Sequence, residues 1–140
     1  MSEENVETLR ALFRKIGRGE QAEALYEVLD PDVELDLSGT TWLDAGIHRG
    51  HADVQSFFRR WVGTWSHFEF APEQLIDVGD RVVVVLHQVA EGRGSGVKVE
   101  NRIGQVWTFR GGKAVRWQMF EDPAEAFEAA GLPEQDPRRA

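Results

Sequence analysis

Apolar residues recur at every third or fourth position through Val6, Leu9, Leu12, Phe13 and Ile16, which predicts a helix stopped by Gly17 and Gly19. A shorter helix is predicted through Ala22, Leu25, Val28 and Leu29, ending at Asp30-Pro31-Asp32 because proline cannot continue the backbone ladder. The period then changes to two. Val33, Leu35 and Leu37 alternate with Glu34 and Asp36, the pattern of a half-buried strand. Residues 38–50, with Trp42, Leu43, Ile47 and His48, read as a Gly-rich loop or a poor strand. Val54, Phe57, Phe58, Trp61, Val62 and Trp65 then form a continuous, aromatic-rich helical stripe, with His51 or Asp53 as candidate N-cap.

From Ser66 onward the chain reads as strands over about 67–78, 81–91, 96–110 and 113–121, joined by glycine-bearing hairpins at 78–81, 92–96 and 110–113. Asp122-Pro123 has the form of an N-cap and first helical residue; the helix runs through Ala130 and stops at Gly131. Residues 1–132 are expected to form one domain and residues 133–140 a polar tail. Helices gathered before an antiparallel meander predict an α+β domain.

At 140 residues the chain fits a single core, which at this size hides roughly two-thirds of the unfolded surface. The formal charge of −8 repels nucleic acid and anionic membranes, and the basic residues are scattered, so neither partner is expected. The absence of cysteine excludes disulfides and thiol chemistry and is compatible with a cytoplasmic location. The acidic start Met1-Ser2-Glu3-Glu4 does not resemble a secretory signal, and no apolar run nears the roughly 20 residues of a membrane helix.

Several phrases carry a resemblance. They are Leu29-Asp30-Pro31-Asp32-Val33-Glu34, His48-Arg49-Gly50-His51, the run from Ile76 to Val84, and the run from Val106 to Lys113. In these, and in its element order, the chain resembles the nuclear-transport-factor-two-like superfamily, and within it the SnoaL-like group of polyketide cyclases, over about residues 4–132. The resemblance implies a cone-shaped α+β barrel. Its curved, mixed but mostly antiparallel sheet wraps around three N-terminal helices and encloses a largely apolar cavity, and a short helix follows at the C-terminus. It also implies a homodimer through the open sheet face. It does not select a function, because the superfamily includes isomerases, cyclases, epoxide hydrolases, dehydratases and binding modules.

The same resemblance places Asp36 at the general base of ketosteroid isomerase, and a carboxylate in an apolar cavity would have the raised pKa such a base needs. Alternation also allows Asp36 to stand on the solvent side beside Glu34. Where the isomerase has an oxyanion-binding acid, this chain has Arg102, and Leu12 replaces its helix-one tyrosine. Arg102 and Glu100 share a strand face, so with Asp36 they could surround a water as in limonene epoxide hydrolase, or pair as an ordinary surface ion pair. A bulge at Gly104 would exchange Arg102 for Asn101 on the inward face.

His87, mid-strand in an apolar run, is a candidate acid or hydrogen-bond donor, and His48 a candidate binding residue. His48 and His51 are three apart, but no further ligand pattern accompanies them, and no metal is expected. Phe58, Trp61, Trp42 and Trp117 are candidate cavity aromatics, and Tyr26 could supply a hydroxyl. There is no Gly-x-Ser-x-Gly elbow, phosphate loop or dinucleotide fingerprint, so no cofactor is expected.

Three functions therefore stand open. The leading one is a cofactor-independent acid–base enzyme acting on a small hydrophobic carbonyl or polyketide-like compound, with Asp36 as base and Arg102, His87 or Tyr26 stabilising the oxygen. The second is water addition to an epoxide. The third is a non-catalytic binding or dimerisation module.

Overall fold

The computed structural model describes residues 2–17, 23–42 and 45–132. The sequence readings at Gly19, Ala22 and Leu43, and the polar tail at 133–140, lie outside them. The described chain forms α1 (Ser2–Gly17), α2 (Glu23–Val28), β1 (Leu29–Gly39), β2 (Ile47–Arg49), α3 (Gly50–Gly63), β3 (Trp65–Val78), β4 (Arg81–Gly92), β5 (Lys98–Arg110), β6 (Lys113–Phe120) and α4 (Pro123–Ala129).

Six strands make one sheet in the order β2-β1-β6-β5-β4-β3. β3 to β6 form the expected antiparallel meander, while β1 runs parallel to β6, which makes the sheet mixed. One face of the sheet is covered by α1, α2 and α3. Here Leu9, Leu12, Phe13, Val54 and Phe57 of the helices meet Leu35, Leu37, Val84, Ile103 and Trp107 of the strands in one core. On the outer face α4 packs a second, smaller cluster of Ala126 and Phe127 against Val83, Val85 and Val106. Both faces of β4 are therefore covered, which is why the run Val82 to Leu86 is apolar without alternation.

Gly104 allows α4 to come close. A Cβ there would stand 2.6 Å from Ala126 Cβ and 2.8 Å from Pro123 Cα, so only glycine lets the helix lie on β5. Gly111 and Gly112, both at positive φ (59° and 82°), make the two-residue β5–β6 turn that L side chains would strain.

Three local readings are corrected. β1 begins at Leu29, directly after α2, so Pro31 lies inside an irregular first stretch of the strand; pairing with β6 shifts between Leu29 and Glu34. Residues 47–49 are a true edge strand, because Glu34, Leu35 and Asp36 offer a ladder to Arg49, His48 and Ile47. Neither His51 nor Asp53 caps α3; the cap position is Arg49, with no side-chain cap bond, and His51 Nε2 instead meets the Leu29 carbonyl at 3.0 Å. The Asp122 cap of α4 is present, its carboxylate accepting from Ala124 N at 2.9 Å.

Candidate functional site

Between the helices and the inner sheet face lies a cavity of about 290 Å³. Its floor comes from alternate positions of three neighbouring strands: Ile103, Gln105 and Trp107 of β5, Trp117 and Met119 of β6, and Leu86 and Gln88 of β4. Helices supply the roof with Leu12, Phe13, Leu25, Phe57 and Phe58. Tyr26, Trp42, Trp61 and Val62 also line it and are only partly buried or exposed, so they mark the mouth.

Aromatic rings dominate the wall. Trp107 and Trp117 are stacked with centroids 4.1 Å apart, and Phe58 stacks on Trp117 at 5.5 Å; Trp61 meets Phe68 edge-on at 4.5 Å. Such surfaces favour flat partners, since offset stacking and edge contacts add to the apolar area buried. Polar atoms are few. Gln105, 2% exposed, accepts from Trp107 Nε1 through Oε1 at 2.9 Å, and Gln88 Nε2 donates to Asn101 Oδ1 at 3.3 Å. Burial pushes the Tyr26 phenol above its ordinary pKa, opposed by the positive charge of Arg59, so its hydroxyl remains a donor at neutral pH. Trp117 Nε1 is buried without a partner among the described residues.

The expected convergence of Asp36, Arg102, His87 and Glu100 on this cavity is not met. Leu35 is in register with the cavity residue Trp117, so its neighbour Asp36 points to the opposite face, in register with Gln118. There its Oδ1 accepts from Ser38 N (2.9 Å) and Ser38 Oγ (2.6 Å), and its Oδ2 accepts from Arg116 Nη2 (3.0 Å). Burial alone would raise the Asp36 pKa, but the Ser38 bonds and the Arg116 guanidinium outweigh it and hold the carboxyl below its ordinary value. That is the reverse of the raised pKa a general base needs.

β4 and β5 pair without a register shift from Arg81↔Thr108 to Glu91↔Lys98, so no bulge occurs at Gly104. Asn101 therefore shares the inner face with Ile103 and Gln105, while Glu100 and Arg102 share the outer face with Gly104. Outside, Arg102 Nε pairs with Glu73 at 2.7 Å and His87 Nε2 with Glu100 at 2.7 Å, each pair joining one exposed and one partly exposed side chain. His48 does not line the cavity; its ring packs on Phe57 at 5.1 Å.

The aromatic candidates fare differently: Tyr26, Trp42, Phe58, Trp61 and Trp117 all line the cavity. Sequence reasoning missed Gln88, Gln105, Phe68, Phe70 and Met119. Gln105 carried a readable signal, being a polar residue at the centre of an inward period-two run between Ile103 and Trp107.

The SnoaL-like domain profile matches residues 9–117. No protein of curated function matches the chain in sequence. Among solved structures, a nuclear-transport-factor-two-like protein from Burkholderia thailandensis is 26% identical, with 92% of this chain and 98% of that one covered and a TM-score of 0.74. TerC, co-crystallised with polyporic acid, is 25% identical over 91% of this chain and 98% of its own, with a TM-score of 0.73. A protein of ketosteroid isomerase-like fold from Catenulispora acidiphila, in complex with trimethylamine, is 14% identical over 94% and 98%, TM-score 0.70, a likeness of fold alone.

Proposed function

This chain belongs to the SnoaL-like domain family, and on that premise we propose that it binds a flat, uncharged and largely apolar small molecule in its aromatic cavity. The observation that carries the reading is the lining itself. Aromatic and aliphatic side chains make nearly all of it, the polar additions are two glutamines and a phenol, and no Asp, Glu, His, Lys or Arg is among the described lining residues. A charged ligand would lose its hydration there without a partner, whereas a planar apolar one gains stacking and burial.

The acid–base enzyme expected from the sequence needs a carboxylate at the ligand, and Asp36 is on the other face, already ionised and bonded. Binding is therefore the better-supported reading. The crystallisation of TerC, a relative by fold, with polyporic acid is in keeping with an organic occupant. The part of the outer face that α4 leaves open, with its Arg102–Glu73 and His87–Glu100 pairs, is where the expected homodimer would form, which light scattering on the purified chain tests.

Titration with fluorene, followed by tryptophan fluorescence, tests the binding reading. Saturable quenching is expected, because Trp42, Trp61, Trp107 and Trp117 all line the cavity. A linear, non-saturating response would overturn it.

A further inference from the structure

We infer that Gln105 is the specificity-determining residue of the cavity, a fixed amide donor that selects uncharged ligands carrying an acceptor oxygen on a flat apolar frame. The inference rests on the binding reading above and deepens it.

Chemistry fixes the orientation of the Gln105 amide. An indole N–H only donates, so the atom facing Trp107 Nε1 at 2.9 Å must be the amide oxygen, and the NH2 group points away from it. That NH2 group donates to no described residue, although Gln105 is 2% exposed and lines the cavity. The amide nitrogen is not one of the sealed, unpartnered atoms of the interior, so it opens onto the cavity, where a ligand atom can accept from it. Set among Ile103, Trp107 and Trp117, it is a donor that a ligand acceptor in the cavity would complete. Trp107 cannot turn to release the amide, being wholly buried and stacked on Trp117. The donor therefore holds one direction before the ligand arrives, which lowers the ordering cost of the bond.

The acceptor must be neutral. With no Lys, Arg or His among the described lining residues, a carboxylate beside Gln105 would be desolvated with only an amide as compensation.

The test compares three probes of one shape on the intact chain: fluorene, 9-fluorenone and fluorene-9-carboxylate. Tryptophan quenching gives the affinities, and infrared spectroscopy gives the carbonyl stretch of bound fluorenone. Fluorenone is expected to bind about five- to tenfold more tightly than fluorene, the range of one neutral buried hydrogen bond, and the carboxylate more weakly than either. The bound carbonyl stretch should shift to lower wavenumber. Gln105→Met should abolish both the preference and the shift. The probe comparison on the unmodified chain stands even if that variant fails to fold. Equal affinity for fluorene and fluorenone, an unshifted carbonyl, or a preference that survives in Gln105→Met overturns the assignment and leaves the cavity reading intact. Failure of fluorene and fluorenone alike to bind overturns both.

Discussion

Asp36 and Arg116 join the two parallel strands of the sheet through a 3.0 Å ion pair, on the face turned away from the cavity. Asp36 is nearly sealed while Arg116 is about half exposed, so the pair is a clamp with one buried jaw. Its carboxylate also closes the turn to Ser38.

Asp36→Asn should therefore act on stability and not on the ligand. Loss of the charge-assisted bond is expected to cost about 1–2 kcal/mol in urea denaturation, with the affinity for fluorene unchanged. A variant of normal stability that no longer binds would return Asp36 to the site.

The same group sets an acid limit. The folded-state pKa of Asp36 is depressed, so its contribution is fully present above the ordinary aspartate range and is lost as pH falls through the folded value. Stability measured from neutrality downward should begin to drop below about pH 4, and Asp36→Asn should flatten that part of the profile. Parallel profiles for the two proteins would show that the clamp does not titrate as described.

Phe58 stacks on Trp117 and lines the cavity. Phe58→Leu keeps an apolar residue on α3 but removes the ring, and should weaken fluorenone binding by about three- to tenfold. The midpoint of denaturation should move much less than the affinity, because Phe58 is only partly buried. Circular dichroism with denaturant, beside the titration, separates the two effects.

Gly104→Ala addresses the other face. A Cβ at 2.6 Å from Ala126 and 2.8 Å from Pro123 forces α4 off β5, and overpacking of this kind costs about 1–3 kcal/mol. Faster hydrogen exchange confined to Ala126–Gly131 is the expected signature. Unaltered exchange there would mean that the helix accommodates the methyl group.

The elements were legible because their periods were clean. The α3 stripe from Val54 to Val62 and the four meander strands appear within a few residues of where the periods put them, while Trp65, the last residue read into that stripe, opens β3 instead. Legibility failed where one residue of parity decided the site. Alternation set Asp36 opposite Leu35 and Leu37, and the structure keeps that opposition; only the likeness to an isomerase drew Asp36 inward. At Arg102 the ambiguity was real, since a glycine in a strand marks either a bulge or a close approach, and here it marks the approach of α4. The inward polar groups were harder to see. Gln105 shows in sequence only as a polar residue inside an inward-facing run, and its meaning depends on Trp107 holding its oxygen.

The parallel seam between β1 and β6 has a consequence for biosynthesis. Residues 29 and 114, or 36 and 118, meet only after α3 and strands β2 to β5 have left the ribosome, because every intervening element is made first. Until then β1 has only its short partner β2, and Phe58 of α3 lacks the Trp117 ring on which it stacks. Trp117 and Met119, which finish the cavity floor, arrive on that same last strand. A nascent chain halted at the β5–β6 turn would thus hold most of the helices and strands yet lack the Trp117 and Met119 side of the cavity, so the enclosure closes only when β6 is added.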